Sequence, residues 1–152
     1  MNQRHEIDAF FLSKIIAVAG VSRNKNKFGS VVYRELKKKG YNILPMNPNC
    51  DIIDGEKCYK QVSELPADVE GILCVVKPDI TEELVRDAEY TGIGRIWMQP
   101  GSESTIAMNF CRERGIGVIS KSCILMYAEP VQSIHKFHRG LARLFGRYNK
   151  QV

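Results

Sequence analysis

The sequence predicts an α/β domain built on a doubly wound, mainly parallel, five-stranded sheet with helices on both faces. Three observations carry that prediction. Short runs rich in apolar and β-branched residues recur at Ile15–Ala19, Tyr41–Met46, Glu70–Val76, Gly94–Met98 and Gly117–Ile119. Turn-forming glycine, proline, serine or asparagine follows these runs, and amphipathic helical patterns fill most of the gaps; strands alternating with helices give a parallel sheet with right-handed crossovers. The chain of 152 residues is long enough to bury one full core.

A short helix over Ile7–Ser13 is expected to lead into the first strand. Ile15–Ala19 is continuous and apolar, the pattern of a parallel strand buried on both faces. Gly20 lets the chain turn sharply. Ser22, Arg23, Lys25 and Lys27 follow, and Phe28-Gly29-Ser30 opens a helix to about Lys39, with Val31, Val32 and Leu36 on one side. A strand, a small-residue turn and a helix N-terminus together make an anion site, to which the neighbouring lysines and arginine add charge. A phosphate-bearing, nucleotide-like ligand is the expected occupant at this place in an α/β sheet. The spacing is Gly20-x-Ser22 with a longer loop to Gly29, so the dinucleotide fingerprint G-x-G-x-x-G is not matched. The run Lys37-Lys38-Lys39 suits the negative end of that helix, and Gly40 its left-handed cap.

The second strand, Tyr41–Met46, stops at Asn47-Pro48-Asn49. An NAD-binding fold places an Asp or Glu here for the ribose hydroxyls; this chain has Asn47 and no carboxylate before Asp51, which argues against NAD. Asn47-Pro48 suits a plain turn as well as a ligand contact. Ile52–Tyr59 contains the turn signal Asp54-Gly55 and a short extended piece, and Gln61–Pro66 reads as one helical turn. Glu70–Val76 is a buried strand ending in Lys77-Pro78-Asp79. Asp79 to Glu82 resembles a capping box for a helix to about Tyr90. Gly94–Met98 is followed by Gln99-Pro100-Gly101, and Ser102 is expected to cap a helix over Glu103–Arg114 that stops at Gly115. Gly117–Ile119 is the fifth strand.

The five cysteines, Cys50, Cys58, Cys74, Cys111 and Cys123, are odd in number and contain no C-x-x-C, so reduced thiols are expected, with Cys74 inert inside its strand. His5, His135 and His138 complete no recognisable metal-ligand set. No apolar run approaches membrane-spanning length and no signal-peptide core opens the chain, so a cytoplasmic protein is expected. The net charge of +5 is unevenly placed: five basic residues and no acids lie from Pro130 onward, while the other 17 Lys and Arg balance the 17 acids. Residues 130–152 read as an amphipathic helical extension of a 1–129 domain, with Ile134, Phe137, Leu141, Phe145 and Tyr148 at spacings of three and four. That helix is expected to pack on the domain or on a second copy as a homo-oligomer; its basic face leaves a nucleic-acid or acidic partner open.

Every candidate ligand contact falls at the carboxyl end of a strand: Ser22 and Lys27, Asn47 and Pro48, Lys77 and Pro78, Gln99 and Gly101. In an open α/β sheet that edge is the binding crevice. Ala-Val-Ala-Gly-Val-Ser with Lys27-Phe28-Gly29, then Leu44-Pro45-Met46-Asn47-Pro48, Gly55, Tyr59, Val75-Val76-Lys77-Pro78, Ile96 to Gly101, Gly115-Ile116 and Cys123 come in an order and spacing that is specific. It resembles the small stand-alone CoA-binding domain proteins, relatives of the CoA-binding domain of the succinyl-CoA synthetase alpha subunit, over about Lys14 to Glu129. The resemblance implies a Rossmann-like domain that binds coenzyme A or an acyl-CoA, without catalysis of its own. It implies that Gly20, Ser22 and Lys27, with Val21, Phe28 and Gly29 in the same turn, meet phosphate, and that Asn47 and Pro48 line the nucleotide side. Val76, Lys77 and Pro78 would flank adenosine or pantetheine, and Gln99 and Gly101 would lie near the pantetheine arm. The synthetase's phosphohistidine belongs to a second domain, and no histidine here takes its place. Met46 stands where valine is common in the family, and Lys121-Ser122 where Arg or Asn often precedes the cysteine. Two alternatives stand beside this reading. One is an NAD(P)-binding oxidoreductase or redox sensor, weakened by the missing fingerprint and ribose carboxylate. The other is an enzyme using the Cys123 thiol on CoA derivatives, for which Lys121 supplies charge but no His or Asp base can be placed.

Overall fold

In the computed structural model, which describes residues 3–131, Ile15–Ala19 forms strand β1, and its side chains divide between two cores. Ile16 and Val18 face one side of the sheet, Ala17 and Ala19 the other. Both faces are buried, as the unbroken apolar run requires. The sheet has five strands in the order β2-β1-β5-β6-β7 and every pairing is parallel. The strands are β2 at Ile43–Met46, β5 at Val69–Cys74, β6 at Arg95–Met98 and β7 at Gly117–Ile119. Between β2 and β5 lies a short antiparallel hairpin, β3 at Ile52–Ile53 and β4 at Glu56–Lys57. The Rossmann-like α/β class expected from the sequence is the one observed.

Helices α1, Gln3–Phe11, and α2, Phe28–Lys38, cover one face. There Phe10, Phe11, Val32 and Leu36 pack with Ile16, Leu73 and the fully buried Trp97. Helices α3, Pro78–Thr91, and α4, Thr105–Glu113, cover the other, where Leu84, Val85, Ala88, Ala107 and Cys111 meet Ile72, Cys74, Ile96 and Met98. Cys74 is inert core as expected, its thiol pushed up to about 12 by burial.

Several boundaries differ from the sequence reading, each for a local reason. Helix α1 begins at Gln3 instead of Ile7, because the buried set Ile7, Phe10 and Phe11 has helical spacing and polar residues extend the helix outward. Strand β5 ends at Cys74: Val75 N still donates to Ala19 O, but Val76 N turns away to Ser102 Oγ at 2.9 Å. The capping box at Asp79 does not form. Lys77 is the N-cap and makes no side-chain capping bond, while Pro78 takes the start of the helix, where its missing N–H costs nothing. Helix α4 is capped by Ser104, whose Oγ accepts from Ala107 N at 3.2 Å; Ser102 is occupied with Val76.

The β3–β4 hairpin is latched to α2. The Arg34 guanidinium donates twice to the Asp54 carboxylate, both at 2.9 Å, Tyr33 Oη donates to Glu56 Oε2 at 2.9 Å, and Lys37 pairs with the other Glu56 oxygen. After the hairpin, Tyr59 returns to the outer side of β2: its N–H donates to Pro45 O at 2.9 Å and its carbonyl accepts from Asn47 N at 3.0 Å. The described chain ends with Val131 N donating to Lys39 O at 2.9 Å. The expected amphipathic helix with Ile134, Phe137, Leu141, Phe145 and Tyr148 lies outside the described residues. Among the described residues no helix is long and apolar enough to cross a membrane, and no group of three or more His, Cys, Asp or Glu is placed to hold a metal ion.

Candidate functional site

The sheet order changes direction at β1, which pairs with β2 on one side and β5 on the other. In open α/β sheets ligands bind beyond the carboxyl ends of the strands at such a point, here β1 and β5. The sequence elements named as candidates all end here: the turn after β1, the Asn47 loop after β2, Val76–Pro78 after β5 and Gln99–Gly101 after β6.

The turn after β1 is shaped by two close approaches. Gly20 has φ +102°, and a Cβ there would collide with the Val75 carbonyl. A Cβ on Gly29 would collide with the Gly20 carbonyl, so the first turn of α2 lies directly against the end of β1. Ser30 fixes this contact: Ser22 N donates to its Oγ at 3.0 Å, and that hydroxyl donates to Ser22 O at 2.8 Å. The loop between is braced by Asn24, whose Oδ1 accepts from Asn26 N at 3.0 Å, and by Ser22 Oγ, which accepts from Asn24 N at 3.1 Å. The N-cap of α2 is Lys27, which forms no side-chain capping bond; Lys27 N donates to Asn24 O and Ser30 N to Lys27 O, and the Phe28 and Gly29 amides are left without a partner among the described residues. Phe28 is 48% exposed beside them. Among the described residues Arg23, Lys27 and Lys77 form no ion pair. The site thus carries a positive helix end, a cradle that only glycine permits and cations without carboxylate partners, an arrangement suited to phosphate.

On the β2 side, Asn47 Nδ2 donates to Val21 O at 2.8 Å and its Oδ1 accepts from Asn49 N at 2.8 Å. Its amide holds two loops together. Pro48 is exposed at the lip. Further along, Lys60 lies 2.8 Å from Asp51 and holds its carboxyl below the usual carboxylate range, with a smaller contribution from Arg23.

On the β5 and β6 side, Val76 is half-buried and Lys77 and Pro78 are exposed at the start of α3. Gln99 is 1% exposed. Its Oε1 accepts from Ile124 N at 2.7 Å and its Nε2 donates to Cys123 Sγ at 3.4 Å, so its amide serves the frame under the crevice. Gly101, with φ +95°, is exposed. Cys123 is half-buried, and Gln99 is its side-chain hydrogen-bond partner among the described residues.

Three hydroxyl residues that were not among the expected ligand contacts organise this edge. Ser30 joins the first turn to α2. Ser102 Oγ accepts from Val76 N, and Thr81 Oγ1 donates to Ser102 O at 2.8 Å, joining the β5 and β6 loops to α3. All three are buried. Their only signal in the sequence is a small hydroxyl beside a crevice turn, which also describes ordinary caps.

Residues 14–129 match a family model described as CoA binding domain. The chain is 27% identical over 129 residues to the alpha subunit of acetate–CoA ligase [ADP-forming] II of Pyrococcus furiosus, covering 78% of this chain and 28% of that protein. It spans between 13 and 28% of the length of the first curated ligases it matches. It is 29% identical over 116 residues to the uncharacterized protein YneT of Bacillus subtilis, 74% of this chain and 83% of that one. Among solved structures, a conserved hypothetical protein from Pyrococcus furiosus superposes with a TM-score of 0.73 at 37% identity, covering 76% of this chain and 99% of that one.

Proposed function

Because the chain belongs to the CoA-binding domain family, we propose that it binds coenzyme A or an acyl-CoA in the crevice at the carboxyl edge of the sheet, through the 1–129 domain and without catalysis of its own. The carrying observation is the fit of the first turn to a pyrophosphate. Gly20 and Gly29 let the end of β1 and the first turn of α2 pack backbone against backbone, where any side chain would strike the Val75 or Gly20 carbonyl, the α2 N-cap makes no side-chain capping bond, and Lys27 stands there without an ion pair among the described residues. In this reading Gly20, Val21, Ser22, Lys27, Phe28 and Gly29 receive the phosphates. Asn47 and Pro48 border the nucleotide, Val76, Lys77 and Pro78 flank its adenosine or the pantetheine, and Gln99 and Gly101 shape the floor under the pantetheine arm. At the end of β2 the ribose place holds the Asn47 amide, bonded to Val21 and Asn49, and the first carboxylate beyond it, Asp51, is paired with Lys60, so neither offers the free carboxylate that an NAD ribose takes.

Binding to the folded state raises the melting temperature with the logarithm of ligand excess over Kd. CoA should therefore raise it well above the shift given by NAD at equal concentration. Equal or greater stabilisation by NAD would overturn the assignment. The mass of any small molecule retained through purification would show which acyl group, if any, is carried.

A further inference from the structure

The turn after β1 and the loop after β2 are stitched together, with Asn47 Nδ2 donating to Val21 O at 2.8 Å and Gly20 N to Met46 O at 3.2 Å. Arg23 leaves this seam two residues beyond Val21, from a loop braced on Ser22 and Asn24. It sits close enough to the far wall for its charge to be felt by both the Asp51 carboxylate and the Cys58 thiol. Asp51 has its own partner in Lys60 at 2.8 Å, and Arg23 forms no ion pair among the described residues. Lys60 is thus in contact with the Asp51 carboxylate, and Arg23 lies beyond ion-pair distance of it on the adjoining loop.

That place reads the ribose in nucleotide-binding sheets of this kind. A free carboxylate there takes the ribose hydroxyls, whereas an arginine accommodates a phosphate carried on the ribose. Here the first carboxylate after β2, that of Asp51, is ion-paired with Lys60, and Arg23 forms no ion pair among the described residues. A guanidinium is also the better of the two cation types for a phosphate, since its planar fork bonds two oxygens at once.

We propose that Arg23 is a specificity-determining residue that reads a phosphate on the ribose of the bound nucleotide, so the crevice selects ribose-phosphorylated nucleotides over their unphosphorylated counterparts. The inference rests on the CoA reading above, since CoA carries such a phosphate at its ribose 3′ position. Dephospho-CoA, which is the same molecule without it, isolates the contact.

The experiment is a calorimetric titration of CoA and dephospho-CoA at low ionic strength into the unaltered protein, Arg23→Ala and Lys25→Ala. The unaltered protein should prefer CoA by about tenfold or more, the size of a charge-assisted contact. Arg23→Ala should bring the two ligands within about twofold by weakening CoA alone, and Lys25→Ala should preserve the preference. Because Arg23 is exposed, the melting temperature of its variant should be unchanged. An Arg23→Ala protein that keeps the full preference, or that loses both ligands equally, would overturn the inference. So would a Lys25→Ala protein that loses the preference to the same degree. An unaltered protein that binds both ligands alike would overturn it while leaving the CoA reading standing. An unaltered protein that binds neither would overturn the CoA reading and this inference with it.

Discussion

Asn47 donates its side-chain amide to the backbone carbonyl of Val21 across 2.8 Å, and with the Gly20 N to Met46 O bond beside it this closes the seam between the two loops on the nucleotide side of the crevice. A carboxylate has no proton to give that carbonyl. Asn47→Asp should therefore set two acceptors against each other and leave a partly buried carbonyl unsatisfied, at a cost of about 1–3 kcal/mol. For a domain of this size that is a fall of several degrees in melting temperature, with weakened CoA binding and no gain of NAD binding. An unchanged calorimetric melt would show that the amide does not hold the loops.

Gly29→Ala makes the opposite kind of test. Its φ is ordinary, and alanine is the better helix former, so a helix considered alone would be strengthened. In the fold the new methyl meets the Gly20 carbonyl. Overpacking of this kind costs about 1–3 kcal/mol, and the strand-to-helix approach that forms the phosphate cradle would have to widen. A urea midpoint at or above that of the unaltered protein would contradict this packing.

Lys27→Ala should weaken CoA binding by about 1–2 kcal/mol at low salt, the range of a charge-assisted hydrogen bond. The lysine is exposed, so ions screen the contact and the difference from the unaltered protein should shrink as salt is added. Equal affinities at low salt would make Lys27 a solvated loop residue.

The latch on the β3–β4 hairpin predicts the acid limb of the stability curve. The Arg34 guanidinium holds the Asp54 carboxyl below its ordinary range, and Lys37 does the same for Glu56. Carboxyls lowered in the folded state add stability that is present above their unfolded pKa, about 4, and lost as pH falls through the lower folded values. The pairs are solvent-accessible, so each is worth less than about 1 kcal/mol. Glu56→Gln should lose less stability between pH 5 and 3 than the unaltered protein, in roughly that proportion. At the alkaline end burial pushes the Tyr41 hydroxyl up to about 12, so its contribution is intact below the ordinary tyrosine value, about 10, and fades as pH rises toward 12. Urea midpoints measured across pH would show both limbs.

Much of this was legible in the chain because it depends on period and punctuation. Ile15–Ala19 has no polar residue, so a strand buried on both faces was readable, and Gly20 and Gly29 marked the close approach that follows. The ends of elements were less legible. Ser102 and Ser104 are equally good caps by type, and only the position of Val76 N, supplied by another strand, decides which of them caps α4. Gln99 is a similar case: at a strand end it reads as a ligand contact, yet its amide is occupied by Ile124 N and Cys123 Sγ, partners that lie 24 and 25 residues on. Arg34 with Asp54 and Tyr33 with Glu56 could not be paired from sequence, since nothing local says which carboxylate a helix will meet after the chain turns back.

The return of Tyr59 to the outer side of β2 bears on how copies of this protein meet in solution. A parallel sheet ends in two rims of unpaired backbone groups, and such rims recruit strands from other molecules. Here the β2 rim is filled near its carboxyl end by the chain's own Tyr59, and Pro45 has no N–H to offer a visitor. The opposite rim, β7, is only three residues long. Among the described residues little backbone is left for one sheet to extend another, which protects against aggregation through strand addition and turns contacts between copies toward side chains.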